Sequence, residues 1–427
     1  MYALRRAVQI GALILAGETI YLLPFALRRE YENPLLDATG LSNTELGWVK
    51  LALGLFAVVC YFPGGWLADR FSARRLLTIS LLSTGLGGLY MLTMPGFYGL
   101  MALYAFWGIS SILTFWGALI KATRTWGGHS EQGRAFGLLE GGRGFVGAGL
   151  PSIGLIGFAL FESSRAGLQA VIMLYSIVVL ITGALTWLVL PEGSESSDSP
   201  NPAADSESAS TARADNPVLA VLKMPAVWLM AVVIFTGYLG YLGTFNLAKF
   251  AQDAYGMSDV GGAQVSLVGM WSRAGAALAA GFLADRFGPS RTVFASFVLL
   301  VSAYVAFATL PATDATTWLL WSNAAIIAIA AGSLRGVFFA LLQEGGVPAA
   351  LTGTAVGLVS FVGYTPDVFT GLLKGALLDA FPGSLGHQYF FGILAAAGIV
   401  GCGAALGIRW LAASAPDPEP IARSETS

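Results

Sequence analysis

Long apolar stretches alternate with short polar segments along almost the whole chain of 427 residues. Each apolar stretch measures about 20 residues, the length that a helix needs to cross the hydrocarbon core of a bilayer. The stretches lack the period-two alternation over about 10 residues that is typical of membrane-barrel strands. The pattern predicts an all-helical membrane protein with twelve spanning helices, near residues 7–27, 46–67, 76–95, 97–121, 135–160, 168–190, 224–247, 264–284, 292–311, 317–342, 351–377 and 388–411.

A polar segment divides the twelve predicted helices into two groups of six. Residues 191–217, PEGSESSDSPNPAADSESASTARADNP, are rich in Ser, Asp, Glu, Ala and Pro. Such a segment buries little apolar area and is expected to be a flexible linker. We therefore expect an N-terminal bundle over residues 1–190, a C-terminal bundle over 218–411 and a cytoplasmic tail over 412–427.

Composition and charge placement support a membrane protein and suggest its orientation. Apolar residues make up 56% of the chain and charged residues 11%, whereas about a quarter of the residues in soluble domains are charged. Both cysteines fall in apolar segments, so no disulfide framework is expected. Basic residues in short loops favour the cytoplasmic side. They place both termini, the linker and most loop arginines there, and leave chiefly Arg29 and Arg165 in the opposite loops.

One charged interruption of the apolar pattern occurs twice. GGWLADRFSARR covers residues 64–75 and AGFLADRFGPSR covers residues 280–291, so Asp69 and Asp285 are 216 positions apart. The same offset superposes the Phe-Val-Gly triplets that begin at Phe145 and Phe361. A constant offset predicts duplicated halves, related by an axis along the membrane normal, with a solute site at mid-depth between them.

The repeated segment resembles the signature loop between helices 2 and 3 of the major facilitator superfamily, G-x-L-x-D-R-x-G-R-R, although Ser72 replaces the usual Gly. The resemblance covers the whole chain and implies two pseudo-symmetric six-helix bundles that move about a central site. It also implies a gating latch on the cytoplasmic side; the alternative is that its basic residues only set the topology. The implied latch residues are Gly65, Asp69, Arg70, Arg74, Asp285, Arg286 and Arg291.

Ionisable residues within the predicted helices are the candidates for function, because burying them in a membrane is costly. These residues are Glu18, Arg28, Lys121, Glu140, Arg143, Arg273, Arg335 and Asp367. Basic groups outnumber acids among the deepest of them, and Arg grips carboxylate, phosphate or sulfonate oxygens with two parallel hydrogen bonds. The pattern therefore favours an anionic solute.

Internal pairing is the alternative explanation for several of these charges. It would join Arg273 to Asp367 or Glu18 to Arg335. Glu140 and Arg143 share one helix face at a spacing of three residues and are interpreted as a structural or gating pair. Lys121 is equally well placed as an anchor at the cytoplasmic surface.

Local sequence narrows the resemblance to organophosphate and related organic-anion carriers. IYLLPFALRREY (residues 20–31) and KATRTW (residues 121–126) are similar to the helix 1 and helix 4 segments of those carriers. RGVFFALLQEGGVP and TGTAVGLVSFVGYTPDVF, from residues 335 and 352, are similar to a bacterial branch that includes carriers of sugar-derived sulfonates and other small organic acids. Helix 7 lacks the arginine of the phosphate antiporters, which argues against phosphate exchange. The implied substrate-binding residues are Tyr21, Arg28, Lys121, Tyr241, Asn246, Arg273 and Arg335.

Two carboxylates and one proline are candidates for coupling and motion. Burial raises a carboxyl pKa toward the working pH, so Glu18 and Asp367 are candidates for proton coupling; the alternative is that each only neutralises an arginine. Pro366 removes a backbone hydrogen bond and is expected to loosen helix 11, either for gating or as a tolerated kink.

The leading hypothesis is a monomeric secondary carrier of a small organic anion in the inner membrane, with protons as a candidate coupling ion. Proton-driven drug efflux and a transporter-like solute sensor are the alternatives, the former favoured by aromatics such as Trp107, Phe115 and Trp116. An embedded enzyme is not expected, because His129 and His387 fall on opposite faces as predicted surface residues and no metal-ligand cluster appears. The phosphate-binding G-x-x-x-x-G-K-[ST] loop is absent. No cofactor and no nucleic-acid partner are expected.

Overall fold

The computed structural model describes residues 2–127, 132–192, 217–348 and 352–414, and these residues contain helices and no strand. The predicted linker, apart from its first two residues and its last, lies outside them, as does most of the predicted tail. The helices are α1 (Tyr2–Thr19), α2 (Leu27–Glu30), α3 (Glu32–Thr39), α4 (Asn43–Arg70), α5 (Ala73–Met91), α6 (Phe97–Ile112), α7 (Trp116–Gly127), α8 (Gln132–Ala159), α9 (Ser164–Val189), α10 (Pro217–Leu222), α11 (Pro225–Gly243), α12 (Leu247–Tyr255), α13 (Asp259–Phe287), α14 (Pro289–Thr309), α15 (Thr317–Val337), α16 (Leu341–Glu344), α17 (Thr352–Gly363), α18 (Pro366–Ala380) and α19 (Ser384–Ser414).

The helices are long and apolar enough for a polytopic membrane protein. Within the described residues, nine helical segments meet the length and composition needed to cross a bilayer. The other three predicted spans, near residues 76–95, 135–160 and 264–284, are also helical and correspond to α5, α8 and α13. The all-helical membrane fold predicted from the sequence is confirmed.

Successive spanning helices run in opposite directions, so their connections alternate between two sides of the molecule. We name them by what they carry. The linker side holds Glu192 at the start of the linker and the turns at residues 71–72 and 288. The far side holds the turns at residues 40–42, 92–96 and 256–258.

Within the described residues several spanning helices are interrupted, among them helices 1, 7 and 11. α1 ends at Thr19 and is followed by a π-helical turn, Leu22–Ala26, that contains Pro24. A 3₁₀ turn, Thr244–Asn246, separates α11 from α12. Helix 11 is split between α17 and α18, which begins at Pro366, as expected from the missing proline donor. The sequence analysis predicted only this last interruption. Irregular turns within a helix, such as π and 3₁₀ turns, frequently occur at functional sites.

The apolar side chains form two large cores, one for each half of the chain. The first core is built almost entirely from residues before the linker and includes Tyr104, Trp107 and Tyr175. The second lies between Val221 and Ile408. A third, small group around Tyr238 and Tyr241 lies apart from both.

The 216-residue repeat is visible in the backbone on the far side. Gly40 and Gly256 both adopt left-handed φ angles, of 69° and 65°, at the ends of α3 and α12. Two residues later, Ser42 and Ser258 cap α4 and α13 by accepting a backbone hydrogen bond. Glycine is favoured at a left-handed helix end and serine at an N-cap, so both halves use the same turn.

Glycines let α4 of the first half cross α18 of the second at very short range. A Cβ atom at Gly375 would lie 2.2 Å from the backbone oxygen of Asn43, and one at Gly54 would lie 2.5 Å from the backbone oxygen of Asp367. Small residues allow such close approach of membrane helices. This crossing joins the two halves from the middle of the membrane to the far side.

Candidate functional site

Polar contacts at helix ends join the two halves on the far side. The carboxylate of Asp379, at the end of α18, accepts hydrogen bonds from the backbone nitrogens of Asn43 and Thr44 at 3.2 and 2.6 Å. A carboxylate is favoured at a helix N-terminus. At the repeat-related corner, Ser164 at the start of α9 donates a hydrogen bond to Asp259 at the start of α13. Polar contacts at helix ends therefore join the two halves at both far-side corners.

A partly buried polar network lies below these corners. The carboxylate of Asp253 contacts the ammonium of Lys249 at 3.1 Å and the Nε2 atom of His387 at 3.0 Å. Asn33, from the first half, donates to Asp253 at 2.7 Å. His387 is fully buried, so its predicted surface position is wrong: it is enclosed because both of its ring nitrogens have partners, the second being Asn246 at 2.9 Å. His129 lies outside the described residues.

Glu18 and Arg143 form an ion pair at the middle of the first half. Their Oε2 and Nε atoms are 3.5 Å apart, and the guanidinium lies 5.9 Å from the ring of Tyr21 and 5.8 Å from the ring of Trp116. The suggested pairing of Glu18 with Arg335 is therefore not found, since a nearer helix of the same half supplies the arginine. The side chain of Glu140 lies outside the described residues.

Arg29 is a site residue that the sequence analysis missed. Its sequence position predicts a loop, but the helical path continues through the π turn to Glu30. Arg29 therefore lies in α2, and it is only 8% exposed. Its Nε atom is 2.5 Å from the Glu30 carboxylate, and its guanidinium lies 5.3 Å from the ring of Phe245 in the second half. Arg28, also buried, lies 5.6 Å from that ring.

Tyr241 organises the basic groups of the second half. Arg273 donates from Nη1 to its hydroxyl at 2.8 Å, and the Arg335 guanidinium lies 4.5 Å from its ring centre. Tyr238, one turn earlier, donates to Asp367 at 2.6 Å. Arg273 and Asp367 therefore do not pair with each other as suggested. Arg273 bonds Tyr241 instead, and Asp367 bonds Tyr238.

Arg29 and Arg273 face one small cavity between the two halves. Thr244 and Ser266 complete its polar lining, and the buried hydroxyl of Ser266 has no hydrogen-bond partner within the part of the chain that the structure describes. Gly332 leaves room for the Arg273 side chain, because a Cβ atom there would lie 2.8 Å from its Cγ. We call the following residues the central cluster: Glu18, Arg29, Arg143, Tyr238, Tyr241, Arg273, Arg335 and Asp367.

The central cluster leaves out three predicted binding residues, Arg28, Lys121 and Asn246, while the ring of Tyr21 borders it beside Arg143. Arg28 lies against the rings of Phe25 and Phe245. The ammonium of Lys121 donates to the backbone oxygen of Ala68 at 2.7 Å, toward the linker side. Asn246 is fully buried against His387. Their positions make Lys121 a contact between α7 and α4, and Asn246 part of the far-side network.

The predicted latch segments lie at the linker side. Arg70 stacks on Trp66, 4.3 Å from the ring centre, and Arg286 lies 5.4 Å from Phe287. Arg74 contacts Glu192 at 3.1 Å. A hydrogen bond from Arg75, with the charge of Arg74, lowers the pKa of the Glu192 carboxyl. Arg291 is exposed. The surroundings of Gly65 and the side chains of Asp69 and Asp285 lie outside what the structure describes.

Comparison with known proteins places the fold in a family. The sequence matches the profile of the Major Facilitator Superfamily over residues 11–371. It is 29% identical over 393 residues to the inner membrane protein YihN of Escherichia coli (strain K12), with 90% of each chain covered. It is 24% identical over 391 residues to the glycerol-3-phosphate transporter of Bacillus subtilis (strain 168), covering 88% of this chain and 87% of the relative. The crystal structure of the nucleoside transporter NupG is similar in fold, with a TM-score of 0.69 and 17% identity, over 94% of this chain and 99% of NupG. The chain therefore belongs to the Major Facilitator Superfamily of membrane transporters.

Proposed function

We propose that this transporter is a secondary carrier of a small organic anion bearing a carboxylate, sulfonate or phosphate ester. The observation that carries the proposal is the approach of Arg29 and Arg273, from opposite halves, to one cavity. The central cluster holds four arginines and two carboxylates, one of each paired in Glu18–Arg143. Adding Glu30, the partner of Arg29, leaves one positive charge in excess. An anionic solute balances that charge, and guanidinium groups bind paired oxygens well.

The two halves are the moving parts of the proposed mechanism. Residues 1–190 and 218–411 rock about the central cluster, joined by the linker over 191–217, and expose it to one side of the membrane at a time. The far-side contacts of Asp379 and Ser164 hold that side closed in this structure. The LADRF segments are the proposed latch of the linker side. The basic loops support a cytoplasmic location for that side and for both termini.

The alternative of drug efflux is not favoured by the aromatic side chains that suggested it. Trp107 and Phe115 are fully buried in the core of the first half, so they offer no surface to a lipophilic solute. Trp116 instead lies beside Arg143. Proton coupling through Glu18 or Asp367 is also part of the proposal. Glu18 is paired with Arg143 and Asp367 accepts a hydrogen bond from Tyr238, so a proton on either carboxylate would change a contact within the central cluster.

Counterflow in proteoliposomes tests the proposed substrate class. Vesicles are loaded with unlabelled solute and given labelled glycerol 3-phosphate, a short-chain sulfonate, a dicarboxylate or, as the neutral control, uridine. We expect labelled anion to accumulate transiently and uridine to stay outside. Accumulation of uridine without any anion would contradict the proposal.

A double-mutant cycle tests whether Glu18 and Arg143 act as one pair. Glu18→Gln and Arg143→Gln each remove one charge of the pair and are expected to slow counterflow by about 10-fold or more, because the remaining charge is left without its counter-charge in a largely buried place. The double variant is expected to lose less than the product of the single losses, with a coupling energy of about 0.5–3 kcal/mol. Losses that simply multiply would show that the two side chains act independently.

A further inference from the structure

A second group of buried charges lies on the far side, away from the central cluster. The Glu32 carboxylate, at the start of α3, accepts hydrogen bonds on the same oxygen from two ammonium groups. Lys50 of α4 lies at 2.8 Å and Lys374 of α18 at 2.7 Å. The three side chains are only 2–7% exposed. Burying charged groups is costly unless each of them is fully paired. The numbers of positive and negative charges in this group therefore have to be compared.

Positive charge exceeds negative charge in this group. Arg28, 7% exposed, lies close enough for its charge to act on both Lys50 and Lys374. Among the described residues its Nε atom has no hydrogen-bond partner, and neither has the buried hydroxyl of Tyr104, on which the charges of Arg28 and Glu32 act. The charge of Arg28 also acts on Asp367 of the central cluster. Two lysines therefore share the single carboxylate of Glu32, and Arg28 adds positive charge that is divided between this group and Asp367.

Neighbouring ion pairs do not supply the missing negative charge. The charge of Lys249 also acts on Glu32, but Lys249 already contacts Asp253. Glu30 is bound to Arg29 at 2.5 Å. Each of these pairs is neutral by itself, so among the described residues the excess of the two lysines over Glu32 stays within the group.

The group is divided between the two halves of the protein. Arg28, Glu32 and Lys50 belong to the first half, whereas Lys374 belongs to the second. Lys50 reaches Glu32 across the α4–α18 crossing, where Gly371 leaves space for its stem: a Cβ atom there would lie 2.8 Å from the Lys50 Cβ. Opening of the far side has to withdraw Lys374 from the carboxylate and expose the cations.

We propose that Lys50 and Lys374 form a second anion site, at the far-side entrance, and that Glu32 occupies it as a tethered carboxylate while the far side is closed. The inference rests on the proposed anion-carrier function. When the far side opens, an oxygen-rich anionic group of the solute takes the place of Glu32 on the lysines and then moves on to the central cluster. Glu32 returns behind it and closes the entrance.

Binding of inorganic phosphate to purified, delipidated protein in a neutral detergent tests this proposal. Glu32→Gln removes the competing carboxylate, so we expect phosphate affinity to rise at least 10-fold over wild type, measured by isothermal titration. Adding Lys374→Gln is expected to abolish the gain. Glu162→Gln, an exposed far-side glutamate, is the matched control and is expected to bind as wild type.

The same gain is measured in an Arg273→Gln background, in which the central cluster is impaired. If the gain in phosphate affinity persists in this background, the far-side group is the phosphate site. This conclusion holds even if anion counterflow fails and the proposed transport function is rejected. If Glu32→Gln binds phosphate no more tightly than Glu162→Gln, Glu32 is only a clasp and the proposal is overturned. Glu32→Asp, which keeps the charge and withdraws it by one methylene, serves where Glu32→Gln does not fold, and we expect a smaller gain from it.

Discussion

Replacing Arg273 with Gln is expected to reduce anion counterflow by about 10- to 100-fold, since a hydrogen bond to a charged group contributes about 1.5–3 kcal/mol. Arg273 is the group of the second half that faces the shared cavity, and its guanidinium is held in place by Tyr241 at 2.8 Å. Arg273→Lys keeps the charge and loses the planar pair of donors. We expect it to recover only part of the rate.

Initial rates from the same proteoliposome preparation provide the measurement, normalised to inserted protein. Arg165→Gln is the control, because Arg165 is exposed on the far side and its loss removes the same charge. Tyr241→Phe is expected to have a milder effect than Arg273→Gln, because the ring still supports Arg335 while the hydrogen bond to Arg273 is lost. Wild-type transport by Arg273→Gln would place the substrate elsewhere.

The sequence predicts the helices well, because only an apolar run of about 20 residues satisfies a membrane. The repeat can also be detected from the sequence, because an offset of 216 residues separates Asp69 from Asp285. The same offset separates the left-handed turns at Gly40 and Gly256. Two residues show the limit of this method. Arg29 follows the apolar run and resembles a loop charge, and His387 precedes a run. Both are buried: Arg29 is paired with its neighbour Glu30 beside the ring of Phe245, and His387 lies between Asn246 and Asp253.

Some of the deep charges are predictable, but buried charges such as Glu32, Lys50 and Lys374 were not identified, and the partners are not predictable. A charge inside an apolar run is conspicuous because of its cost. Its partner depends on helix rotation and on the packing of distant segments, as in Glu18 with Arg143. The pair of Glu32 with Lys374 is more extreme, because 342 positions separate the two residues. No spacing rule along the chain identifies such a contact.

Glycine placement at the α4–α18 crossing leads to the second large expected effect. In Gly375→Val, the added Cβ would meet the backbone oxygen of Asn43 at 2.2 Å and its carbonyl carbon at 2.7 Å. Backbone atoms cannot rotate away as a flexible side chain does, so α18 has to move off α4. The hydrogen bonds between Asp379 and the start of α4 are lost with it. We expect the far side to stay open and counterflow to fall by about 100-fold or more, because the alternating cycle requires both closures.

Gly403→Val provides the matched control, because a Cβ atom at this helical glycine meets nothing within 4 Å. Both variants place the same β-branched residue in a helix, so they share the change in helix propensity. Spin labels at Arg165→Cys and Leu385→Cys, one in each half on the far side, report the opening once Cys60 and Cys402 are replaced by Ser. We expect a longer distance distribution for Gly375→Val than for Gly403→Val. Equal distances and equal rates would show that the glycine crossing does not govern closure of the far side.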